Sequence, residues 1–101
     1  MVLNVNAATV STSAATETGI SAEMGAATSA ASAALVGVLP MGADLDSAQF
    51  AAALSAAGAS YIGTATEHLT NRGMFAGSQD LAAATYTATD VINNGLLGAG
   101  F

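Results

Sequence analysis

Apolar positions fall into two stripes of helical period, separated by the single proline of the chain. In the first, Ile20, Met24, Ala27, Ala31, Ala34 or Leu35, and Val38 recur at steps of three and four; in the second, Phe50, Leu54, Ala57, Tyr61, Ala65 and His68 or Leu69 do the same. Such steps put every member on one face of a helix, whereas a strand alternates at every second residue. Between the stripes, Val38-Leu39-Pro40-Met41-Gly42-Ala43-Asp44-Leu45-Asp46-Ser47 reads as a turn. Pro40 disfavours helical geometry at Leu39 and Gly42 tolerates positive φ, so the first helix is expected to end near Val38. Asp46 is read as the cap of the second helix, with Gln49 three positions on completing a capping box. Gly73 and Gly77 predict fraying or a kink. Ser78 and Asp80 predict a restart through Ile92, and Asn93-Asn94-Gly95 a stop. The fold class is therefore all-α, an antiparallel two-helix hairpin.

Composition shows how thin such a hairpin is. The hydrophobic fraction is 52%, but half of it is alanine and large apolar side chains are few. Burying a Leu or Phe contributes about 1.5–3 kcal/mol and an Ala far less, so the helices must pack closely or a partner must supply apolar surface. Gly58, on the Leu54–Tyr61 side, is read as a point of close helix approach. With one Lys or Arg against seven Asp or Glu and a net charge of −6, nothing is available to neutralise phosphates, which excludes nucleic acid and disfavours anionic membranes. The start, Met1-Val2-Leu3-Asn4-Val5-Asn6, has no basic region and no apolar run, so no cleavable Sec-type signal is expected. Met24 to Ala43 runs twenty residues without a charge. That stretch is mostly Ala, Ser, Thr and Gly and ends at Pro40, a poor composition for a membrane span.

Candidate chemistry is sparse. His68 is the only imidazole, with Thr64, Ala65, Asn71 and Arg72 as its neighbours within a turn, and a lone His at the polar edge of a helix is read as structural. Asp44 and Asp46 lack the ligand array that calcium requires, and there is no cysteine. No catalytic residue, cofactor-binding residue or metal ligand is assigned, no cofactor is expected, and the chain is read as a non-enzyme. One small motif stands apart: Tyr86 and Asp90, in Tyr86-Thr87-Ala88-Thr89-Asp90, are four residues apart and so share a helical face, making a compact phenol-plus-carboxylate surface.

Taken together, the turn and this terminal motif resemble those of the mycobacterial PE family. The segment from Val38 through Pro40 to Asp44, followed by Ala48-Gln49-Phe50, is similar to the inter-helical Val-x-Pro-x-x-Ala-Asp segment and the start of helix two in that family. Tyr86 to Asp90 resembles its Tyr-x-x-x-Asp/Glu type VII secretion motif. The resemblance runs from about residue 10 to 95 and departs at the N-terminus, where Asn6-Ala7-Ala8-Thr9 stands in place of the Pro-Glu pair.

Several expectations follow from the resemblance. It implies a hairpin domain over 1–95 with a loose tail at 96–101, completing a four-helix bundle with a PPE-family protein. It implies indirect contact, through that partner, with an EspG-type secretion chaperone, and export by type VII secretion machinery after a transient cytoplasmic stage, to the medium or the cell envelope. Tyr86 and Asp90 would be the secretion signal, and Ile20, Met24, Leu35, Phe50, Leu54 and Tyr61 the partner interface. Two other readings compete. The WXG100 class of secreted hairpins carries Trp-x-Gly in its turn, whereas this chain has no Trp and a Pro there. An outer-envelope transport component would place residues 24–43 against lipid.

Overall fold

A computed structural model describes residues 4–99 and contains two α-helices, α1 (Ala7–Val36) and α2 (Leu45–Gly98). Each begins at a side-chain cap. Asn6 Oδ1 accepts the Thr9 N–H at 3.1 Å, satisfying one of the orphan donors at the start of α1. At α2 the cap is Asp44 rather than the expected Asp46: its carboxylate accepts the Ser47 N–H at 3.0 Å and the Ser47 hydroxyl at 2.8 Å. The side chain of Ser47, three positions on, reaches back in the manner of a capping box. Asp46 falls instead in the first turn, where its charge meets the positive end of the helix. Helix α1 ends two residues before Val38, and the Val38 N–H is held by Ser55 Oγ of α2 at 3.3 Å.

The helix is not interrupted at Gly73 and Gly77, nor does it stop at Asn93-Asn94-Gly95; α2 continues to Gly98. Two helical glycines cost about 2 kcal/mol relative to Ala. Breaking the helix and nucleating it again, with a nucleation constant of about 10⁻³, costs about 4 kcal/mol. Propagation therefore wins. Leu96–Gly98, assigned to the tail, are helical and exposed, and residues 100 and 101 of that tail lie outside the described residues.

The many Thr residues do not interrupt the helices because their hydroxyls turn inward. Thr12, Thr16, Thr28, Thr66, Thr70, Thr85 and Thr87 each donate to the carbonyl four residues earlier.

Two compact units make up the chain, and in each the helices run antiparallel. In the unit formed by Ser21–Asn71, the facing positions are Ser21, Met24, Thr28, Ser32 and Leu35 on α1 and Ala51, Ser55, Gly58, Ile62, Ala65 and Leu69 on α2, all buried or half-buried. This seam lies one residue round from the expected stripe: Phe50, Leu54, Ala57 and Tyr61 are exposed, while Met24, Leu35, Ala65 and Leu69 are the expected members that it keeps. The small residues Ala51, Ser55 and Gly58 face α1 because they let the backbones approach more closely than Phe or Tyr would allow. At Gly58 the approach is closest, since a β-carbon there would collide with the Leu35 carbonyl group.

The other unit joins Met1–Ile20 to Arg72–Phe101. Its facing positions include Val10, Ala14 and Glu17 on α1 and Arg72, Ala76, Gln79 and Ala83 on α2. Glu17 Oε1 lies 2.7 Å from Arg72 Nε, with both side chains three-quarters or more covered. The Nε–H itself makes no hydrogen bond, so the contact is one of charge. Ser11 donates to Asp80 at 3.1 Å, and Gln79 Nε2 to Ser13 Oγ at 3.0 Å. Among the described residues the fully buried apolar side chains are Ala14, Ala51, Ala76 and Ala83.

Candidate functional site

Helix α2 carries Tyr86 and Asp90 as a direct consequence of its continuity through Gly73 and Gly77. Counting on from Arg72, Ala76, Gln79 and Ala83, the same steps of three and four reach Tyr86 and then Asp90. Both therefore extend the strip that α2 turns towards α1 in this unit, beyond the point where α1 begins. There they meet the N-terminal lead-in instead of a helix: Asn4, Val5, Tyr86 and Asp90 line one cleft of about 250 Å³. The Asn6 cap, with its carbonyl accepting the Val10 N–H at 3.1 Å, fixes the direction in which the lead-in leaves the helix. Val5 is half-buried as a result, while Tyr86 remains 43% exposed. Sequence reasoning singled out Tyr86 and Asp90 and missed Asn4 and Val5. The apolar pattern holds no sign of them, because they precede the helix and follow no helical period.

A second hollow, of about 480 Å³, is lined by Tyr86 together with Ser78, Leu81, Ala82 and Thr85. All of these residues belong to α2, so it is a depression on one helix and not an enclosed site.

The six residues expected at a partner interface separate into two groups. Met24 and Leu35 are half-buried in the seam of the Ser21–Asn71 unit. Phe50 (58% exposed), Leu54 (42%) and Tyr61 (59%) of the same unit stand outside it, as does Ile20 of the other unit. Met24 and Tyr61 do share a cleft of about 270 Å³, with His68 and Leu69 among its walls. Among the described residues, no group of three or more His, Asp or Glu side chains is arranged to hold a metal ion, and no helix is long and apolar enough to cross a membrane.

The electrostatic balance is one-sided. Arg72 is the only Lys or Arg in the sequence, and it is engaged by Glu17. The Asp44 carboxyl is held below the usual carboxylate range, chiefly by the Ser47 N–H and then by the Ser47 hydroxyl.

Compared with known proteins, residues 3–93 match the family model described as the PE family. No curated protein and no solved structure matches the chain.

Proposed function

The chain belongs to the PE family, and from that membership we propose that it is a non-enzymatic pairing protein, exported by type VII secretion as a heterodimer with a PPE-family protein. Its two helices would form half of a four-helix bundle, with Phe50, Leu54 and Tyr61, together with Ile20, Met24 and Leu35, meeting the partner. The observation that carries this reading is the mismatch between what is buried and what is exposed. The fully buried apolar side chains among the described residues are alanines, while Phe50, Leu54 and Tyr61 stand in solvent. Large apolar side chains left outside the seam stabilise an assembly only when a second surface covers them. An EspG-type chaperone would act through the PPE partner, before export to the medium or the cell envelope. Tyr86 and Asp90 would present the export signal.

The deciding experiment compares the chain alone with the chain co-expressed with a PPE-family protein, by circular dichroism and sedimentation. The isolated chain is expected to be poorly helical or aggregated, and the co-expressed pair to form a stable 1:1 complex. Cooperative unfolding of a monomeric isolated chain would refute an obligate partner. Replacing Tyr86 with Ala should leave the complex intact and keep it inside the cell; export of that variant at the normal level would remove the signal assignment.

A further inference from the structure

We propose that Asn4 and Val5 form, with Tyr86 and Asp90, one recognition cleft for a cationic side chain of a partner protein, so that the lead-in to α1 supplies half of the surface on which the terminal motif is read. The inference rests on the reading of Tyr86 and Asp90 as an export signal, and adds to it both a second chain segment and the chemistry of the occupant.

Three observations support it. The first is geometric: the four residues line a common cleft of about 250 Å³, room for one long side chain. The motif is therefore not a bare helix face, because the Asn6 cap directs the preceding residues across it. The second is chemical. Val5 and the Tyr86 ring offer apolar surface to an aliphatic stem, Asp90 offers a carboxylate, and the Asn4 amide and Tyr86 hydroxyl offer neutral acceptors. Arg or Lys matches that set, with a stem that packs on apolar groups, a head that pairs with a carboxylate, and an affinity for the face of an aromatic ring. The third is charge. Arg72 is the sole Lys or Arg of the chain and lies 2.7 Å from Glu17, so Asp90 has no arginine or lysine of its own chain to pair with. A chain of net charge −6 also attracts basic surface in general.

The test uses the co-expressed complex and measures two things for each variant: co-purification with the PPE partner and the exported fraction. Val5→Lys sets an ammonium beside Asp90, so that the chain's own cation competes with the partner's for the cleft; it should reduce export about tenfold or more with pairing unchanged, as is expected of Tyr86→Ala, whereas Val5→Leu should export normally. Asp90→Asn removes the charge at constant shape and should also block export, while Asp90→Glu should restore it.

Normal export of Val5→Lys, with Tyr86→Ala retained, would overturn the composite cleft and leave the signal reading standing. Normal export of Asp90→Asn would overturn the cationic occupant. Normal export of Tyr86→Ala would overturn the signal reading and this inference with it. Loss of pairing in Val5→Lys would put the lead-in at the PPE interface and likewise overturn the proposal.

Discussion

Gly58 rests against the main chain of Leu35 so closely that a β-carbon on it would occupy the space of the Leu35 carbonyl group. The obstacle is backbone, not the movable end of a side chain, so relief requires the two helices of that unit to separate. Gly58→Ala should therefore destabilise the complex by about 1–3 kcal/mol, in spite of the better helix propensity of alanine. Gly63 and Gly73 meet nothing within 4 Å at the same position. There Gly→Ala should stabilise by about 0.5–1 kcal/mol. Thermal unfolding of the three variants checks the contrast, and a neutral Gly58→Ala would show that the seam is looser than the contact implies.

Asp44 gives a prediction with a definite pH window. Its carboxyl is lowered by the bonds from Ser47, so the folded state favours the ionised form. The stabilisation is complete above the unfolded carboxyl's ordinary value, about 4, and disappears as pH falls through the lower folded value. Asp44→Ala should thus lower the midpoint of unfolding by a few degrees at neutral pH, with the difference from the parent protein shrinking below about pH 4. Asp44→Asn, a neutral cap, should retain most of the stability and flatten the pH dependence. A difference that stayed constant down to pH 2 would show that the carboxylate charge contributes nothing to the cap.

The ion pair between Glu17 and Arg72 sits in a seam otherwise made of Val10, Ala14, Ala76, Gln79 and Ala83. Removing one partner leaves the other charge largely covered and uncompensated, which is costly. Replacing both with apolar groups removes the desolvation penalty as well. Glu17→Ala or Arg72→Ala alone should destabilise by about 1–3 kcal/mol, and Glu17→Leu with Arg72→Met by distinctly less than either. A double-mutant cycle by thermal unfolding reads the coupling. Strictly additive losses would mean that the 2.7 Å contact carries no energy.

The helical architecture was legible because period and punctuation agree: Pro40 and Gly42 mark the turn, and both stripes repeat at three and four. Which face α2 turns inward was not. Reading the most hydrophobic strip, Phe50-Leu54-Ala57-Tyr61, as the inner face assumes that apolar size drives pairing of the two helices. In this chain Ala51, Ser55, Gly58 and Ile62 take that place, one residue round, because the close backbone approach at Gly58 leaves no room there for Phe or Tyr. The length of α2 was not legible for a related reason. Gly73 and Gly77 predict fraying or a kink and Asn93-Asn94-Gly95 a stop, whereas in a long helix the penalty of one glycine is smaller than that of starting again. Of the terminal cleft, Tyr86 and Asp90 could be found from their spacing. Asn4 and Val5 could not, since only the fold brings them to α2.

Leu54 offers the sharpest test of what the exposed face is for. It stands 42% exposed beside Phe50 and Tyr61, off the seam, so a charge there has no reason to disturb the pairing of α1 with α2. If the face is covered by a PPE partner, Leu54→Asp loses the buried side chain, worth about 2–5 kcal/mol, and adds a carboxylate that the interface would have to desolvate unpaired. An affinity loss of about a thousandfold or more is then expected, and co-purification should fail. Ala56, also exposed and about 160° round α2 from Leu54 by helical spacing, supplies the control: Ala56→Asp adds the same charge and should pair normally. Loss of pairing with both would indicate general acidity and not a defined face, and retention with both would place the partner elsewhere. Helicity of the Leu54→Asp chain, measured beside that of the parent chain under the same conditions, separates failure to pair from failure to fold, because a seam of Ala51, Ser55, Gly58 and Ile62 does not include the altered residue.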